Sequence, residues 1–283
     1  MLNALLLQAG YNAALVSIGA ALLGAAAGGA GAFLTLRRRA LMSDAMAHAT
    51  LPGIGLGFLM MVAFGGEGRF LPGLMLGAAF TAAFGLFCVQ RLTRRLPGDA
   101  ATGAVLSSFY GFGIVVLTVV QGIGLGRPAG LETVLLGSTA GMLRMDAVII
   151  AGGGALVLAA LWVLRRPLAM VAFDPAHAAL SGINLARMDA LLMGLVLVVV
   201  LVGLNVTGLI LIVALLVTPA VTARLWAQTV PGVAMLGAGI GAGCGYVGAA
   251  VSASVPDMPT GPVIVLLAAS AFAATLALRG HHG

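Results

Sequence analysis

Leu41-Met-Ser-Asp44-Ala-Met-Ala-His48-Ala-Thr-Leu-Pro52-Gly53, continued by apolar residues to Phe64, decides how this chain is read. The run over 45–64 has the length a helix needs to cross bilayer hydrocarbon, about 20 residues. At its head a carboxylate and an imidazole stand four residues apart. On insertion scales a charged side chain at the bilayer centre costs roughly 2.5–3.5 kcal/mol. The chain is 61% hydrophobic and only 8% charged, so a charged pair at that position marks a candidate site.

Further apolar runs of similar length recur on both sides, and the mean hydropathy is +1.15. Backbone groups in lipid must be satisfied within the element, and these runs are too long and continuous for barrel strands. The class that follows is all-α, a polytopic transmembrane helical bundle of eight or nine spans. The spans are expected near 13–36, 45–64, 71–90, 102–121, 145–164, 189–204, 208–226, 232–252 and 261–278. A weaker run over 131–143 is expected to form one short outer helix that does not span, and residues 1–12 an interfacial helix. The whole of 1–283 reads as a single transmembrane domain, with no cleavable leader expected. Arg165-Arg166-Pro167 is expected to end the fifth span. Pro219 in Thr218-Pro-Ala-Val-Thr-Ala-Arg224 is expected to kink the seventh span or end it early.

All 14 basic residues are arginine. A phosphate-binding P-loop requires lysine, so this chain does not carry that ATPase site and is not expected to be an enzyme. The formal charge of +6 does not indicate nucleic acid, because no basic patch carries interleaved aromatic residues. The arginines mark span ends instead. With the loops after spans one, three, five, seven and nine inside, Arg37, Arg38, Arg39, Arg91, Arg94, Arg95, Arg165, Arg166, Arg187, Arg224 and Arg279 are cytoplasmic. The expected location is a bacterial cytoplasmic (inner) membrane, crossed many times. The interval 168–189, with Asp174, Pro175, His177, Gly182 and Asp189, is the longest polar stretch on that arginine-rich side.

Glycines four apart, Gly24/Gly28, Gly53/Gly57, Gly73/Gly77, Gly237/Gly241 and Gly241/Gly245, are expected to let helix backbones approach closely. Cys88 and Cys244 have no ligand spacing and read as small buried residues. Glu67, Glu132 and Asp146 read as ordinary solvated charge near the outer face. Asp257, in the turn Val-Pro-Asp-Met-Pro-Thr-Gly-Pro262, reads as a turn residue or an outer-mouth contact. His281 and His282 form only a weak incidental pair.

Residues i and i+4 share a helix face, so Asp44 and His48 can point into one cavity. Carboxylate oxygen and imidazole nitrogen suit Zn²⁺, Mn²⁺ or Fe²⁺. One pair supplies two donors, and a two-fold dimer around this helix would supply four. Pro52 offers no N–H to the carbonyl of residue 48, so Pro52 and Gly53 are expected to form a pore-facing break. The residues alone equally allow a structural reading, a buried Asp–His hydrogen bond or a Ser43/Asp44 cap.

Three stretches carry a resemblance over essentially the whole chain. Ser43-Asp-Ala-Met-Ala-His-Ala-Thr-Leu-Pro-Gly53 is similar to the D-x-x-x-H-x-x-L-P-G signature of the zinc/manganese/iron ABC-transporter permeases. Phe173-Asp-Pro-Ala-His-Ala-Ala-Leu-Ser-Gly-Ile183 resembles their ATPase-docking segment, and Gly208–Arg224 their late span. Ser43 stands where that family commonly has glycine. The resemblance implies a permease subunit of an importer for a divalent transition metal, zinc first, with manganese or iron as the alternative. It implies Asp44 and His48 as metal contacts, and Asp174, Pro175, His177 and Gly182 as the coupling segment. The implied partners are a second copy, an ATP-binding subunit, an extracytoplasmic metal-binding protein and membrane lipid. No permanently bound cofactor is implied, only the transported ion. Two rivals remain at this stage: a proton-coupled secondary metal transporter, with Asp44 relaying protons, and a membrane scaffold that transports nothing.

Overall fold

A computed structural model describes residues 11–66, 70–122, 144–254 and 258–280. Among these residues every regular element is helical. Ten helices follow in order: α1 Tyr11–Leu36, α2 Ala40–Ala63, α3 Leu71–Leu92, α4 Gly98–Gly122, α5 Arg144–Phe173, α6 Pro175–Leu180, α7 Leu185–Thr207, α8 Leu209–Trp226, α9 Val230–Ser254 and α10 Thr260–Gly280. Eight of them are long and apolar enough to cross a membrane, and Ile212–Trp226 is a shorter apolar helix. The all-helical, multi-pass class read from the sequence is the one observed. The expected outer helix at 131–143 and the interfacial helix at 1–12 fall wholly or mostly outside the described residues, as do Glu67, Glu132 and Asp257.

The helices group into two compact units, within what the sequence suggested as one domain. One unit contains α1 and α5–α10, the other α2–α4. In the larger unit α1 and α9 lie backbone to backbone. A Cβ built on Gly24 would overlap the Gly241 carbonyl, one on Gly28 the Gly237 carbonyl, and one on Gly245 the Ala20 carbonyl. Lipid tails are as apolar as leucine, so packing of this closeness is what holds helices together in a bilayer. In the smaller unit α2 and α3 repeat the device. Gly53 and Gly77 leave no room for a Cβ on either side, and a Cβ on Gly57 would lie 3.2 Å from the Gly73 carbonyl oxygen.

The sequence pointed to proline breaks at Pro52, Pro167 and Pro219, and the helices continue through all three. α5 runs through Pro167 to Phe173, with Leu168 and Val171 buried. Proline removes one hydrogen bond and adds one clash, and a helix held by its neighbours absorbs both. The polar segment therefore begins at Asp174, about six residues later than the arginine–proline cluster suggested. α8 likewise runs through Pro219 to Trp226 without an early exit.

The first arginine cluster closes α1. Arg38 N–H donates to the Thr35 carbonyl at 3.1 Å, and Arg39 N–H reaches back to Leu34 at 2.9 Å. These two bonds define a Schellman ending. Its left-handed position, usually glycine, is occupied by Arg38 at φ +54°, at a cost of about 1–2 kcal/mol. The turn brings Arg37 and Arg39 onto one carboxylate. Arg37 contacts Asp189 Oδ1, and Arg39 Nη1 lies 3.0 Å from Asp189 Oδ2. Burial lowers the pKa of the Arg37 guanidinium, Asp189 raises it, and Arg39 lowers it again. The side chain stays charged throughout.

Candidate functional site

α2 provides the acid and the imidazole. Asp44 and His48 lie one helical turn apart, and His48 Nε2 is 3.3 Å from Asp44 Oδ1. The His48 side chain is 18% exposed and that of Asp44 35%. The pair is thus half-sheltered and still reachable. His48 Nδ1 is buried with no hydrogen-bond partner among the described residues, which leaves Nε2 as the donor atom on the accessible side.

The 3.3 Å separation matters chemically. With bonds of about 2.0–2.2 Å, two donors on a tetrahedral ion sit about 3.3–3.6 Å apart, and two adjacent donors on an octahedral ion about 2.8–3.1 Å. The 3.3 Å separation falls at the edge of the tetrahedral range and equally fits a direct carboxylate–imidazole contact. No group of three or more His, Cys, Asp or Glu side chains able to hold a metal occurs among the described residues. Among the described residues, the pair offers two potential donors.

α4 supplies a residue that the sequence reading missed. The Tyr110 ring meets the His48 ring edge to face, with centroids 5.1 Å apart and planes at 82°. Its only sequence clue is rarity, as one of three tyrosines. Contact across two helices leaves no local spacing signal.

Pro52 and Gly53 call for a correction. They were expected to break the helix and face a pore. α2 instead runs uninterrupted from Ala40 to Ala63 with Pro52 inside it, and both residues are buried. A Cβ built on Gly113 of α4 would lie 2.6 Å from Leu51 Cβ and 3.1 Å from Pro52 Cδ. Gly53 lies against Gly77 of α3. Two neighbouring helices close on this turn through glycine, and that packing offsets the missing hydrogen bond. Below it an apolar groove of about 800 Å³ opens between α2 and α3, lined by residues such as Met60, Phe64 and Phe80. Among the described residues no ionisable side chain lines it.

The polar segment folds as a capped single turn and a half. The Asp174 carboxylate accepts from the N–H groups of Ala176 and His177, each at 3.0 Å, and Pro175 occupies the first turn of α6. This is the N-cap arrangement expected of aspartate followed by proline. The helix ends at Ser181, and Gly182 turns the chain at φ +82°, a conformation glycine adopts without a Cβ penalty. Asp174, His177 and Gly182 are exposed, as are the flanking Phe173 and Leu180, at 85% and 88%. Asp257 lies outside the described residues.

These features define a class: a multi-pass helical membrane protein with an acid–imidazole pair on one helix and an exposed capped turn between two others. Residues 11–279 match the ABC 3 transport family, and the chain belongs to that family. It is 38% identical over 263 residues to the "Manganese transport system membrane protein MntC" of Bacillus subtilis, covering 92% of this chain and 59% of that protein. The chain thus spans less than two thirds of that relative's length. Against the "Zinc transport system membrane protein TroC" of Treponema pallidum it is 37% identical over 260 residues, covering 91% and 85%. Among solved structures, "PsaBC from Streptococcus pneumoniae in complex with Fab" superposes with a TM-score of 0.82 at 28% identity, covering 98% of this chain and 95% of that one.

Proposed function

We propose that this chain is the permease subunit of an ABC importer for a divalent transition metal, in a bacterial cytoplasmic membrane. The observation that carries the reading is the Asp44–His48 pair. Its donor atoms are set at the spacing of two ligands on one ion, in a helix otherwise free of charge. Family membership and relatives named for manganese and zinc transport support it.

Two copies supply two oxygens and two nitrogens. Four such donors replace part of a hydrated cation's shell. Within one chain the pair is partly exposed, and among the described residues the His48 Nδ1 lacks the carboxylate or carbonyl that ordinarily makes a ligating histidine more basic. The site is therefore weak enough to release its cargo, as conduction requires. A metal-binding protein delivers the ion from outside. A separate ATPase engages α6 and its flanks, where Phe173 at the end of α5 and Leu180 offer apolar contact and Asp174 holds the turn in shape. Zinc matches the tetrahedral spacing slightly better than an octahedral ion does, whereas relatives are named for both metals, so the reading is made for the class.

The test is reconstituted uptake. The chain, its partner ATPase and its binding protein are placed in liposomes and supplied with Zn²⁺, Mn²⁺ and Fe²⁺ in parallel. ATP-dependent uptake of at least one ion, abolished in Asp44→Ala and in His48→Ala, is the expected result. Uptake that needs no ATP and collapses with a proton gradient would support the secondary-transporter reading instead.

A further inference from the structure

We propose that Tyr110 is a positioning residue for His48, holding the imidazole plane by ring contact where a metal-ligating histidine ordinarily uses a hydrogen bond. The inference deepens the proposed function and rests on the reading of Asp44 and His48 as the cation contacts.

A histidine that binds a metal through one nitrogen generally donates its other N–H to a carboxylate, carbonyl or water, and that bond fixes the ring. His48 has no such partner at Nδ1 among the described residues. Among the described residues, Asp44 meets its ring by charge and Tyr110 by ring contact. Asp44 faces Nε2, on the side where an ion sits. Tyr110 stands edge to face at 82° with centroids 5.1 Å apart, within the 4.5–7 Å range in which aromatic pairs attract. When a cation enters, Asp44 turns its charge to the ion and no longer restrains the ring alone. Tyr110 is the contact that persists. Holding the ring by packing also leaves Nδ1 without the electron push of a hydrogen-bonded carboxylate, so the ligand is oriented without being strengthened. A transported ion needs a site of that kind.

The role belongs to the ring and not to the hydroxyl, which makes the proposal separable from a structural or ligating one. Tyr110→Phe keeps the ring, and Tyr110→Leu removes it. In ATP-driven liposome uptake, Tyr110→Phe should stay within about twofold of the parent. Tyr110→Leu should raise the KM for the metal about 3- to 10-fold, the size of one aromatic contact, with kcat nearly unchanged. With Co²⁺ as a probe, the parent and Tyr110→Phe should share one visible absorption spectrum, and Tyr110→Leu should differ. The double variant His48→Ala/Tyr110→Leu should be no worse than His48→Ala, because Tyr110 acts through His48.

Equal damage from Phe and Leu would overturn the proposal in favour of the hydroxyl. A Leu variant that matches the parent while His48→Ala is inactive would overturn it and leave the cation pair standing. Normal uptake by His48→Ala would remove both. The Phe variant retains the packing volume of the ring, so it reports even if Tyr110→Leu fails to fold.

Discussion

Two helix pairs in this molecule are joined by facing glycines, and they differ in what they carry. In the larger unit α1 and α9 meet along Gly24, Gly28, Gly237, Gly241 and Gly245, and neither helix contains a charged residue. In the smaller unit α2 and α3 meet along Gly53, Gly57, Gly73 and Gly77, and α2 carries Asp44 and His48 just before that contact. The same small-residue packing joins two uncharged helices in one case and, on the proposed function, steadies the helix that holds the cation pair in the other. Rigid close packing from Pro52 onward lets the preceding turns hold two costly polar side chains in one orientation.

The comparison can be broken chemically before it is broken sterically. Asp44→Ala and His48→Ala should each lower metal uptake at least about 100-fold, since two of four donors vanish from a two-fold site, while the variants still co-purify with the ATPase. A retained uptake rate would mean that α2 is only scaffold, like α1. Steric damage comes next. Gly28→Leu and Gly53→Leu each drive a side chain into a facing backbone and should cost about 3 kcal/mol or more, read as loss of monodisperse protein in detergent. If Gly53→Leu folds and Gly28→Leu does not, the two contacts are not equivalent.

Smaller effects sharpen the contrast at the arginine-rich ends. Asp189→Asn leaves the part-buried Arg37 without its counter-charge and should lower stability by about 2 kcal/mol, measured as a drop in thermal midpoint. Asp174→Ala removes the cap of α6 and should cost about 1 kcal/mol locally. Its expected signature is ATP hydrolysis that no longer tracks uptake, with folding of both units unaffected.

Much of this was legible in the sequence because lipid imposes simple rules. Span positions follow from runs of about 20 apolar residues, and the glycine pairs follow from spacing of four. The polar interval holding Asp174, Pro175 and Gly182 was read from the sequence, whereas its cap and turn were found in the structure. Three further things were not legible. Pro52 and Pro167 suggest helix ends, but whether a helix survives a proline depends on the neighbours that pack on it, here Gly113 on Pro52 and Gly77 on the adjoining Gly53. Tyr110 and Asp189 act through partners far away in the chain, and no periodicity marks such a contact. Nor is the division into two units visible, because apolar helices look alike whichever unit they join.

The most direct test of the central claim, that Asp44 and His48 together grip the cargo, is a zinc titration of the purified protein with His281 and His282 replaced by alanine. The expected result is one ion per two chains, lost when either Asp44 or His48 is also changed to alanine. Binding that survives both changes at unaltered stoichiometry and affinity would contradict it.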